Sequence, residues 1–165
     1  VTARTTRKIW IPVAVAVVLA GVIIATSYEV LPTLRVEWCK LFPEQRSAVA
    51  TPPPDATPEQ VVTAYLQAVA ARDDDTARAL SAPSFLARHG DRGIGCSYRR
   101  LDLIWVGEPR TDSSAYARLV SAVPTRYKVD LEEEGPEMDG ERRYDFLVGR
   151  NAPSERWRII DYGNG

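Results

Sequence analysis

The chain has 165 residues, 45% hydrophobic and 26% charged, with 21 basic and 22 acidic side chains and a net charge of −1. That near-neutral balance argues against a nucleic-acid partner, which a broad basic face would mark. Two cysteines and a single histidine do not make a zinc pattern, so no metal and no other cofactor is expected.

The first predicted element is at the N-terminus. Residues 1–8 form a basic tail with Arg4, Arg7 and Lys8, and residues 9–28, IWIPVAVAVVLAGVIIATSY, run 20 residues without a charge. Twenty helical residues rise about 30 Å, the thickness of a bilayer core. The pattern predicts a retained transmembrane helix in a single-pass cell-membrane protein. The positive-inside rule puts its N-terminus in the cytoplasm and the rest of the chain outside. The rival reading, a cleaved signal peptide, calls for a shorter apolar section. The lipid bilayer is the first expected partner.

Residues 29–42 read as a juxtamembrane amphipathic segment. Leu31, Leu34, Trp38 and Leu41 recur at helical spacing, and with Phe42 they form a candidate contact surface for a membrane or another protein. Residues 43–57 form a Pro-rich linker whose prolines 52–54 favour an extended, semi-rigid spacer. Beyond residue 28 there are 18 basic and 22 acidic side chains, a mildly acidic outer part. Cys39 and Cys96 are disulfide candidates in an oxidising compartment; their spacing alone leaves open whether they meet.

The 108 residues from 58 to 165 suffice for one modest core, not two. Thr57-Pro58-Glu59-Gln60 combines an N-cap, a first-turn proline and a capping-box glutamine. Val61, Val62, Tyr65, Leu66 and Val69 then give an apolar helical stripe that ends near Arg72. Asp73-Asp74-Asp75 caps a short second helix, and Pro83 to His89 forms a third that packs Phe85 and Leu86. Strands follow: Tyr98 to Val106 with Leu101, Leu103 and Trp105 on one face, and a long extended segment from Tyr116 to Leu131. Pro124 interrupts the latter and implies a bend, a bulge or an edge position. Two further strands run from Arg143 to Val148 and from Trp157 to Tyr162. Helices first and antiparallel strands after make an α+β domain. One long helix covering so many aromatics implies a curved sheet.

The opening TPEQVVTAYLQAVAARDDDTARAL and the ending RWRIIDYG resemble small bacterial domains of the nuclear-transport-factor-2-like (NTF2-like) group. The residues concerned are Pro58, Glu59, Val61, Val62, Tyr65, Leu66, Ala68, Asp73, Ala77 and Leu80, then Trp157 and Asp161. The resemblance spans roughly 58–163 and implies a cone-shaped α+β fold. One membrane span with such an outer domain resembles actinobacterial membrane proteins of unassigned role, and assembly factors of conjugation and type IV secretion systems.

Chemistry-bearing patterns are sparse. His89 is the single histidine, and a dyad with Asp91 or Asp145 is chemically conceivable. No Gly-x-Ser-x-Gly, phosphate loop or His-Glu-x-x-His is present, so no enzyme is expected. Asp102 and Asp161 read as partners of Arg100, Arg143 or Arg158 on the sheet, and Glu132-Glu133-Glu134 as a solvated loop. Tyr65, Trp105, Tyr127, Phe146 and Trp157 are the candidates for a ligand pocket. The leading expectation is a non-catalytic interaction or assembly module, anchored in the membrane and acting with other cell-envelope proteins on the extracytoplasmic side. The alternative is binding of a small apolar or amphipathic ligand in the cavity of the outer domain.

Overall fold

The computed structural model describes residues 34–42, 44–90, 94–113, 117–131 and 139–163. Residues 34–41 are helical (α1), with Val36 buried and Leu34, Trp38, Leu41 and Phe42 exposed. Residues 44–57 have no regular structure but are tied to the helices that follow. The Arg46 amide donates to the Ala71 carbonyl at 2.8 Å, and the Val49 amide to the Asp73 carboxylate at 2.8 Å.

Helix α2 (Pro58–Ala71) starts on a complete capping box. The Thr57 amide donates to Gln60 Oε1 at 2.9 Å, and the Gln60 amide donates back to Thr57 Oγ1 at 3.5 Å. Arg72, at φ 54°, closes the helix in the left-handed conformation. The face carrying Val61, Val62, Tyr65, Leu66 and Val69 is buried. Helix α3 (Asp74–Ala79) is capped by Asp73, whose carboxylate accepts from the Thr76 amide at 3.2 Å. Helix α4 (Pro83–His89) buries Phe85.

Five strands form one antiparallel sheet: β1 (Tyr98–Val106), β2 (Arg110–Asp112), β3 (Leu119–Leu131), β4 (Gly140–Arg150) and β5 (Arg158–Gly163), in the order β1-β3-β4-β5, with β2 on β3 beside β1. Helix α2 lies against β1, β3, β4 and β5, and the core forms between them around Val61, Val62, Phe85, Val123, Val148 and Ile159. Val36–Gly165 forms one unit by its contacts.

Pro124 sits inside β3, a central strand, where its missing N–H would ordinarily break the ladder. Its carbonyl accepts the Gly107 amide at 2.8 Å, so its nitrogen faces the same neighbour. That neighbour is the bend between β1 and β2, where the edge is already interrupted. The proline is accommodated by a break in its partner.

Two expectations are corrected. The sheet is open rather than curled into a cone. Among the described strands β5 pairs only with β4, and its outer edge meets an isolated parallel bridge between Ser81 and Ile159. Second, among the described residues no helix is long and apolar enough to cross a membrane. The longest, α2, has 14 residues and rises only about 21 Å. The expected span 9–28, the basic tail 1–8 and Leu31 lie outside the described residues. The single-pass topology, the cytoplasmic N-terminus, the bilayer partner and the anchored assembly role are corrected on this finding, because no described element carries them.

Candidate functional site

The helix-facing side of the sheet holds a cavity of about 240 Å³. Helix α2 supplies Tyr65, Leu66 and Val69, and α4 supplies Phe85 and His89. The strands add Leu101 from β1, Tyr127 from β3, Phe146 from β4 and Tyr162 from β5. Tyr98, Ser97 and Ile94 come from the start of β1 and the turn before it, and Lys40 reaches it from α1.

Its wall is aromatic. The Tyr65 ring lies 6.0 Å from Phe85, edge to face, and 5.9 Å from Phe146. Tyr162 stacks on Phe146 at 5.5 Å and stands 6.0 Å from Phe85. These separations fall in the range where aromatic pairs attract, so the rings hold one another in place. Burial, then the neighbouring Tyr98 and Tyr162, push the Tyr65 phenol above its ordinary range. It remains a neutral hydroxyl across all working pH.

The polar end is at the mouth, where Lys40 and Ser97 are exposed and His89 is largely so. Cys39 and Cys96 are joined by a disulfide, with Cα atoms 5.8 Å apart. The next residue after each cysteine, Lys40 and Ser97, lines the cavity, so the bridge fixes two of its walls together. Gly95 lets this turn approach α2, because a Cβ there would collide with the Val69 carbonyl oxygen.

His89 packs on Phe85 at 4.5 Å and on Tyr162 at 5.1 Å. The carboxylate beside it is Asp161, 3.8 Å from Nε2 and also 3.5 Å from Arg88. Asp91 lies outside the described residues, and Asp145 is hydrogen-bonded to Arg110. At 3.8 Å the His89–Asp161 pair is an ionic neighbour, not the short hydrogen bond that orients a general base. Asp102 is held by Arg100 at 2.8 Å.

The five pocket candidates part company. Tyr65, Tyr127 and Phe146 meet in the cavity. Trp105 is half exposed and borders a separate open groove. Trp157 lies under the Arg150 guanidinium, 4.3 Å from its ring centre. The sequence reading did not place His89 at the cavity. The spacing of Phe85 and His89, four apart on one helix, is the signal that would have paired them. Of the apolar contact candidates, Leu34, Trp38, Leu41 and Phe42 are exposed, with the Trp38 and Phe42 rings 4.6 Å apart. Among the described residues no group of three or more His, Cys, Asp or Glu could hold a metal ion.

Comparison with family models, with curated proteins and with solved structures finds no match to this chain. With the open sheet, this corrects the NTF2-like assignment and the actinobacterial context attached to it: the matching apolar positions of α2 and α3 are core residues and Asp73 is a cap, which many α+β domains need at those places, while Trp157 and Asp161 are only partly buried.

Proposed function

We propose that this domain binds a small amphipathic molecule in the cavity between α2, α4 and the sheet, with its apolar body against the aromatic wall and its polar end at the mouth. The carrying observation is the cavity itself: a concave space walled by aromatic side chains, with Lys40, Ser97 and His89 at its mouth. Its size bounds the ligand. A volume of 240 Å³ is equivalent to about eight liquid waters, below the range of drug-sized pockets. One aromatic ring with a short substituent, or an alkyl chain of about eight carbons, fits that bound.

The chemistry at the mouth favours an anionic or hydrogen-bonding end group. The Lys40 ammonium, ion-paired to Glu37 at 2.7 Å, keeps further N–H donors, and the Ser97 hydroxyl and the His89 ring offer others. The reading is one of binding without catalysis, since the histidine at the cavity has no hydrogen-bonded carboxylate among the described residues.

Organic extraction of the purified full chain, followed by mass spectrometry, tests this directly. The expected result is a co-extracted small molecule at near-stoichiometric yield, depleted from a Ser97→Trp variant that plugs the mouth. Equal recovery from both proteins would contradict the proposal.

A further inference from the structure

The opposite face of the sheet carries a second feature, unrelated to the cavity. Register places Trp105 of β1 beside Arg126 of β3, and Arg126 beside Arg143 of β4. The three side chains therefore form one row across three strands. They line an open groove of about 550 Å³, together with Pro124, Asp145 and Arg110.

Two facts make this row unusual. Arg126 and Arg143 are directly opposed like charges, an arrangement that costs a sheet stability. A single oxygen of Glu141 stands 3.6 Å from Arg126 and 3.5 Å from Arg143, so one carboxylate is shared between two cations. The Nε atom of Arg126 is buried without a hydrogen-bond partner among the described residues. Beside them Trp105 is 50% exposed. Its ring lies over Gly107, where any Cβ would collide with the ring. Nothing in the packing of the core calls for either feature.

We propose that this groove is a binding site for a planar ring carrying a phosphate or carboxylate. The ring stacks on Trp105. The anion sits between Arg126 and Arg143, whose guanidinium forks match its oxygens. Strand spacing sets the ligand's reach: the two arginines lie about 5 and about 10 Å from the tryptophan across the sheet. Arg110, held by Asp145 in the next row on this face, closes one side. An anion here relieves the opposed charges, and its affinity falls with salt because the site is open to solvent.

Isothermal titration of the full chain at low salt tests the site with adenosine monophosphate and 2-naphthoate, the phosphate and carboxylate versions of this chemistry. Adenosine and inorganic phosphate serve as the separated halves. At least one ring-bearing anion is expected to bind saturably, and its halves at least tenfold more weakly. Trp105→Ala and Arg143→Gln should each weaken binding at least fivefold, while Ser97→Trp, at the cavity, should leave it unchanged. Arg143→Gln removes a like-charge pair, so its melting temperature should hold or rise, which separates lost binding from lost folding. The proposal fails if neither anion binds saturably, if inorganic phosphate alone binds as well, or if both groove variants retain full affinity.

Discussion

The ring of Tyr65 on α2 stands 5.9 Å from that of Phe146 on β4, and the cavity opens beside this pair. Helix and sheet touch through these two rings, so the same contact that joins the layers also forms the wall of the proposed site. Tyr65 is the one polar member of that contact, since Phe146 carries no hydrogen-bonding group.

Tyr65→Phe therefore separates binding from folding. The ring stays and the hydroxyl goes, so the aromatic contact with Phe146 is kept. Absorbance titration of the wild type should show at least one tyrosine still protonated at pH 11, because burial holds the Tyr65 phenol up. The variant should lose that resistant step. A phenol titrating near 10 at position 65 would show the wall to be open to water.

The Cys39–Cys96 bridge encloses a long loop, the cysteines standing 57 positions apart in the chain. A Cys39→Ser, Cys96→Ser double variant is expected to lose about 2–4 kcal/mol in urea unfolding, from restored freedom of the unfolded chain. It should also bind cavity ligands more weakly, since Lys40 and Ser97 are no longer tied together. Unchanged unfolding and unchanged binding would show that the bridge shapes neither.

Asp73 is buried, and it ties the segment before α2 to α3. Burial raises its pKa, but the amides of Val49 and Thr76 outweigh that, and the net shift is downward. A depressed folded-state pKa adds stability that is fully present above the unfolded value, about 3.9, and is lost as pH falls through the folded value. Asp73→Asn sets an amide NH2 against one of these two N–H donors and should thus cost about 1–3 kcal/mol at pH 7. The gap between variant and wild type should narrow below pH 4. Urea unfolding at pH 7 and pH 3 measures both, and a gap constant with pH would refute the assignment.

Local signals carried much of this architecture. The capping box at Thr57, the stripe from Val61 to Val69 and the proline at the start of α4 are written in consecutive residues, and the helices lie where they imply. What failed was parity. Alternation puts Leu101, Leu103 and Trp105 on one face, but a register shift between Leu103 and Trp105 turns the tryptophan to the other side of the sheet. A bulge is one extra residue, and nothing in LDLIWVG marks it. The cavity shares this cause. Tyr65, Phe85, Phe146 and Tyr162 come from four elements, and only the packing of layers brings them together. A curled sheet was likewise expected from the number of aromatics to be covered, yet the layers bury them with the sheet open.

The central claim is that the cavity takes a small amphipathic ligand, and saturation-transfer NMR with octanoate and indole tests it most directly. The account predicts saturable transfer to at least one of them in the full chain, weakened at least tenfold by Ser97→Trp and untouched by Trp105→Ala. Absence of saturable transfer for both, or equal loss in the two variants, would contradict it.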